Sequence, residues 1–114
     1  MRVEVYRNLH KRCWSVRDLS TGLVISHEDR VTVADARFVV RPAGREKVLR
    51  EKRKNVHAFV RGEWLPNGSC LTSLPHRVSY NPYKFGHFYN SETEDAVTSA
   101  PLVILNEEGR VFTK

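Results

Sequence analysis

The sequence lacks any long apolar run. A helix that spans a membrane needs about 20 consecutive apolar residues, and no stretch of this chain approaches that length. The N-terminal residues MRVEVYRNLHKRC begin with charge but contain no apolar segment of the kind that a secretory signal has. We therefore expect a cytoplasmic protein that has no membrane as its partner.

Cysteine is scarce as well, since the 114 residues contain only Cys13 and Cys70. Two cysteines so far apart do not suggest a disulfide framework and are typical of reduced thiols in a cytosolic protein. Neither they nor the five histidines stand at the CxxC, HxH or HExxH spacing of metal sites. The sequence therefore predicts neither a metal nor a cofactor.

The motifs of the common enzyme classes are also missing. There is no GxSxG, no P-loop and no GxGxxG, and the acidic residues at 92–95 and 107–108 indicate solvated turns rather than paired catalytic carboxylates. These absences favour a binding protein over an enzyme. One catalytic alternative stays open, a metal-independent ribonuclease in which His57 is the general base and Arg61 stabilises the phosphate.

The sequence does have a strong local concentration of positive charge. The segment Arg41–Lys54, RPAGREKVLREKRK, has seven basic and two acidic residues and so carries +5 of the formal net charge of +6. Charge gathered in this way favours a polyanionic partner. Arginine, which outnumbers lysine 13 to 6, suits phosphate recognition through its planar fork. The candidate phosphate contacts are Arg45, Lys47, Arg50, Lys52, Arg53 and Lys54.

The rest of the chain has the pattern of short strands. A length of 114 residues predicts a single domain, residues 1–114, with a core of its own. Alternating apolar residues and turn signals predict an α+β fold that is mostly antiparallel β, a small twisted sheet or partly open barrel. Good helix formers in Arg45–Lys54 favour one short basic helix or arm there, and the alternative is one arm of a long hairpin. Candidate strands cover residues 1–7, 12–17, 23–26, 31–40, 56–64, 77–80, 84–89, 101–105 and 110–113.

The segment 56–64 has the clearest alternation. Val56, Ala58 and Val60 should face the core of a central strand. The opposite face would then present His57, Phe59 and Arg61 beside the basic segment, where phosphates would meet arginines and a base would stack on the ring. The alternative is that the predicted helix covers Phe59 and that His57 and Arg61 are ordinary surface residues.

A second candidate surface is the aromatic run YNPYKFGHFY, Tyr80–Tyr89. Strand alternation can bury only about half of its five rings, so the rest would form an exposed patch suited to stacking or to anchoring a partner. The alternative is a loop that covers its own rings at the edge of the core. Its candidate contact residues are Tyr83, Lys84 and His87.

The run KNVHAFVRGEW, Lys54–Trp64, and the opening RVEVYRNLHKRCWSVRD, Arg2–Asp18, resemble small uncharacterised proteins of tailed-phage and prophage genomes. The likeness extends over much of the chain. It implies an accessory phage protein and carries over no activity and no functional residue.

Three hypotheses for function follow. The leading one is a non-enzymatic module that binds nucleic acid, DNA or RNA. The second is an inhibitor or host-takeover factor that docks its basic segment on an acidic host protein, with the aromatic run as anchor. The third is the ribonuclease described above.

Overall fold

The computed structural model describes residues 1–41, 58–66, 75–81 and 86–114. The described residues form nine strands and no helix, so the predicted α+β class is wrong and the described chain is all-β. The segment 45–54, where a helix or arm was predicted, lies outside the described residues. The strands are β1 (Arg2–Asn8), β2 (Cys13–Asp18), β3 (Val24–Glu28), β4 (Val31–Val40), β5 (Ala58–Trp64), β6 (His76–Tyr80), β7 (Phe88–Asn90), β8 (Ser99–Leu105) and β9 (Val111–Thr113).

All nine strands belong to one open antiparallel sheet in the order β3-β2-β1-β5-β4-β8-β9-β6-β7. The first three strands form a meander, since β1 pairs with β2 and β2 with β3. Two long-range pairings then join distant parts of the chain, β1 with β5 and β4 with β8. In the part of the chain that is described, no helix is long and apolar enough to cross a membrane.

Alternating apolar residues place one face of the sheet on a single hydrophobic core. Val5 of β1 lies opposite both Val16 and Val60 on the neighbouring strands, and all three are buried, as is Val3. Every strand except β3 contributes to this core, and the contributing residues include Val3, Val5, Trp14, Val16, Val33, Phe38, Val60, Val78, Phe88, Val103, Leu105 and Val111.

The sheet is strongly curved, so that elements far apart in the sheet order come into contact. The Nε1 of Trp14 on β2 donates a 2.7 Å hydrogen bond to the carbonyl oxygen of Asn106, in the turn between β8 and β9. Four strands separate β2 from β9 in the sheet order, so this contact needs strong curvature. The curvature encloses the core on its concave side.

The segment predicted to be the central strand forms β5, an interior strand that lies between β1 and β4, whereas the fifth and central position of the nine belongs to β4. Ala58 and Val60 are buried in the core, as the alternation predicts, and Val56 lies outside the described residues. Gly62 of β5 is required by close packing, because a Cβ there would lie 2.6 Å from the carbonyl oxygen of Ala34. The register between β4 and β5 shifts between Ala34 and Arg37, where Asp35 has a positive φ of 49°. This bulge returns Arg37 to the face opposite the core.

Candidate nucleic-acid interface

The outer face of the sheet, opposite the core, carries a row of charged side chains across four neighbouring strands. The register aligns Arg17 of β2 with Glu4 of β1, Glu4 with Arg61 of β5, and Arg61 with Arg37 of β4. Neighbouring strands lie about 4.8 Å apart, so the row extends about 15 Å across the sheet. It brings together residues that are far apart in the sequence.

Glu4 organises this row. It is 3 % exposed, and a buried carboxylate needs charged or hydrogen-bonding partners to offset its lost hydration. Arg61 provides the closer one, since its Nε donates a 2.7 Å hydrogen bond to Glu4 Oε2. Arg17 provides a looser ion pair, with Nη1 3.6 Å from Glu4 Oε1. Glu4 therefore holds an arginine on each side of β1.

Two further arginines extend the positive charge beyond Glu4. Arg37 is exposed and lies directly across from Arg61, a like-charge arrangement that is unfavourable without an anion nearby. Arg41 follows β4, is exposed, and places its Cζ 5.2 Å from the ring centroid of Phe59. Four guanidinium groups thus lie on this face, and two of them, those of Arg17 and Arg61, contact the Glu4 carboxylate. We call this set, Arg17, Arg37, Arg41 and Arg61 with Glu4, the arginine face.

Two aromatic rings lie beneath these guanidinium groups. Tyr6 and Phe59 meet edge to face with ring centroids 6.2 Å apart, and the Cζ of Arg17 lies 5.6 Å from the Tyr6 centroid. Phe59 is only 2 % exposed. The rings therefore support the arginines through cation–π contacts, and Phe59 leaves no open ring surface on which a base could stack.

The arginine face also has an unsatisfied donor. The Nε of Arg17 is buried and has no hydrogen-bond partner among the described residues. An N–H that is withdrawn from water without an acceptor costs about 1–3 kcal/mol. An anion at this position would remove that cost.

Few of the residues predicted to form the site can be located. Phe59 and Arg61 lie on the outer face of β5, as the alternation predicts. His87 is half-buried and immediately precedes β7, at the end of the sheet order. The other predicted contacts lie outside the described residues: Arg45, Lys47, Arg50, Lys52, Arg53, Lys54, His57, Tyr83 and Lys84.

Two of the three described rings of the aromatic run pack in the core. Phe88 is buried, and its ring centroid lies 4.9 Å from that of Phe38 and 5.2 Å from that of Tyr80. Tyr80 packs against the same core. These two rings therefore stabilise the fold and are not part of an exposed patch.

Sequence reasoning missed the contributions of Glu4, Arg17 and Arg37. A signal for Glu4 was present, because Val3 and Val5 face the core and Glu4 must then face the opposite side. The alignment of Glu4 with Arg17 and Arg61 depends on strand register, which no local pattern reveals.

Comparison with known proteins places the chain in a family. The sequence profile of the Mycobacterium phage L5 gene 82 protein matches residues 1–113. The gene 82 protein of that phage is 38 % identical over 123 aligned residues, which cover 96 % of this chain and 93 % of the relative. The chain belongs to this family. Its resemblance to small phage proteins is thereby confirmed, and the family covers the arginine face as well as the core. No solved structure matches the chain.

Proposed function

We propose that this phage protein is a non-enzymatic nucleic-acid-binding module that acts in the host cytoplasm and holds phosphates on its arginine face. The observation that carries the proposal is the row of Arg17, Arg61 and Arg37 around the buried Glu4. A row of guanidinium groups about 15 Å long matches a chain of phosphates better than it matches a single small anion.

The position of the basic segment supports the same partner. Arg41 and Ala58, the described residues that flank it in the chain, lie at neighbouring ends of β4 and β5 beside the arginine face. The basic segment, which has five excess positive charges, therefore starts at Arg41 beside this face.

Burial of Phe59 removes its ring as a stacking surface for a base. Tyr6, the other ring of the face, is half-buried and packs against Arg17 and Phe59, so affinity would come mainly from phosphate contacts rather than from base stacking. Such binding depends steeply on salt, because each neutralised phosphate releases counterions, and it depends little on base sequence.

The test is an anisotropy titration of labelled single- and double-stranded DNA and RNA at several salt concentrations. The double variant Arg37→Ala/Arg41→Ala should bind more weakly than wild type and lower the slope of log K against log salt by up to about two units. The quadruple variant Arg50→Ala/Lys52→Ala/Arg53→Ala/Lys54→Ala should lower it by up to about four. Arg37 and Arg41 are exposed, and exposed charges contribute little to stability, so the double variant should fold; we expect the quadruple variant to fold as well.

The matched control removes the same charge elsewhere. Arg30 and Arg110 are exposed arginines in other turns, paired with Glu107 and Glu108 respectively. Arg30→Ala/Arg110→Ala should change the salt slope by less than either variant above. Equal weakening by the control would contradict a localised face. Absence of nucleic-acid binding, together with a host protein retained after nuclease treatment, would favour the protein-binding alternative instead.

A further inference from the structure

The concave side of the curved sheet holds a half-open cavity of about 430 Å³. Its apolar wall includes Val5, Val60, Val78, Phe88, Leu105 and Val111. The volume lies within the range of about 300–1,000 Å³ that small-molecule sites occupy. It is about three times the roughly 150 Å³ in which an apolar cavity accommodates a benzene ring.

Three arginines line this cavity, and Arg7 is the one that packs against an aromatic ring of the core. Arg7 of β1 belongs to the wall, and its Cζ lies 5.1 Å from the ring centroid of Trp14. Gly109 packs against the same guanidinium group, because a Cβ built there would lie 3.1 Å from Arg7 Nε and 3.4 Å from its Nη2. Trp14 is itself fixed by its hydrogen bond to Asn106. The guanidinium group is therefore held in place by two well-ordered neighbours.

One nitrogen of this guanidinium group lacks a hydrogen-bond partner. Arg7 Nη1 is buried, and no acceptor among the described residues bonds to it. A positively charged donor that is withdrawn from water favours an anionic acceptor, and a bond between charged groups is about twice as strong as a neutral one. The cavity thus combines apolar wall residues with one buried cationic donor that lacks an acceptor.

The other charged groups of the wall are either paired or exposed to water. Arg110 is paired with Glu108 at 3.6 Å, and Arg77 is exposed to water. We propose that the cavity binds a small amphipathic carboxylate of about 10 to 15 non-hydrogen atoms, with its carboxylate on Arg7 and its apolar body against the apolar part of the wall. This site lies on the core side of the sheet and does not depend on the arginine face.

The tryptophans make this site testable by fluorescence. Trp14 lines the cavity, so Trp64→Phe leaves Trp14 as the single tryptophan reporter. In this background, octanoate should change the Trp14 emission saturably and bind at least about tenfold more tightly than octanol, which has the same chain and no charge. The experiment measures both affinities by titration.

Three variants separate the contributions. Arg7→Met should remove the preference for octanoate over octanol while retaining weak binding of both. Val78→Phe should fill the cavity and abolish binding of both, and Arg37→Ala/Arg41→Ala should leave both affinities unchanged. If Arg7→Met does not fold, Arg7→Lys provides the comparison, since it keeps the charge but loses the planar fork and should reduce the preference severalfold.

Two results would overturn the proposal. One is the absence of any saturable change in Trp14 emission with octanoate while circular dichroism shows a folded protein. The other is equal affinity for octanoate and octanol, which would leave Arg7 without a role in binding. Nucleic-acid binding in the same samples is scored separately, so failure of either site is recognised on its own.

Discussion

The indole Nε1 of Trp14 and the carbonyl oxygen of Asn106 lie 2.7 Å apart although 92 positions separate them in the chain. This hydrogen bond closes the curved sheet, because it joins the β1–β2 hairpin to the β8–β9 turn. The same indole packs against Arg7. One side chain thus stabilises both the closure of the sheet and the cavity behind it.

Trp14→Phe should therefore lower the free energy of unfolding by about 1–3 kcal/mol, through the lost hydrogen bond and the smaller ring. Urea denaturation measures the change. Trp64→Phe is the matched control, since Trp64 is only partly buried against the core and should cost less. An equal loss in the two variants would show that closure adds nothing beyond the burial of a large ring.

Gly62→Ala should destabilise the protein through a steric clash. The new Cβ would lie 2.6 Å from both Ala34 O and Val33 Cγ1, and overpacking of this kind costs about 1–3 kcal/mol. Gly22→Ala provides the comparison, because Gly22 has open space around it and a φ of 74°, so its cost of about 1–2 kcal/mol is conformational. Chemical denaturation should rank Gly62→Ala as the more damaging change, and the reverse order would argue against tight packing at the bulge.

Glu4→Gln should change stability and binding in opposite directions. Loss of the buried charge leaves Arg17 and Arg61 without their shared anion and should lower the free energy of unfolding by about 1–3 kcal/mol. The same change raises the positive potential of the face and should tighten nucleic-acid binding severalfold. Thermal melts and anisotropy titrations measure the two effects.

The control for this variant is Glu107→Gln, which removes an exposed carboxylate 3.9 Å from Arg30. It should leave stability nearly unchanged, since exposed pairs contribute about 0–1 kcal/mol. Weaker binding by Glu4→Gln in a folded protein would count against the arginine face as the site of phosphate contact.

Tyr80 should make stability sensitive to alkaline pH. Burial raises the pKa of the Tyr80 phenol above its ordinary value of 10.0. Below about pH 10 the phenol is neutral in both states and its contribution is fully present. Above that pH the unfolded chain ionises first, so stability is lost as the pH rises through the folded pKa. Tyr80→Phe should show a shallower alkaline decline in urea midpoint than wild type, and identical declines would contradict the assignment.

Local sequence patterns predicted much of this fold. Alternation of Val3 and Val5 identified β1, and the turn signal at residues 106–109 identified the last hairpin, where Gly109 has a φ of 80°. Alternation also placed Phe59 on the outer face correctly. It did not reveal that Phe59 would be buried there, because the covering groups, Tyr6 and Arg41, come from other strands.

The candidate site was harder to predict because its charges are dispersed in the sequence. The dense segment 41–54 drew attention by composition, whereas Glu4 and Arg61 are 57 positions apart and meet only through strand register. Register is set by the whole sheet rather than by either residue's neighbours. The predicted helix in 45–54 rested on propensity alone, and that segment lies outside the part of the chain that the structure describes.

The sheet order has a consequence for how the protein forms during synthesis. The β1–β2–β3 meander consists of local pairings and can form as soon as the first 28 residues leave the ribosome. One edge of β1, however, stays open until β5 emerges, and one edge of β4 stays open until Ser99–Leu105 has been made. Pairings so distant in sequence form slowly, and open strand edges favour association with other chains. Nascent chains that stop before β8 should therefore aggregate. The last sixteen residues determine whether the chain folds or remains a fragment that associates with other chains.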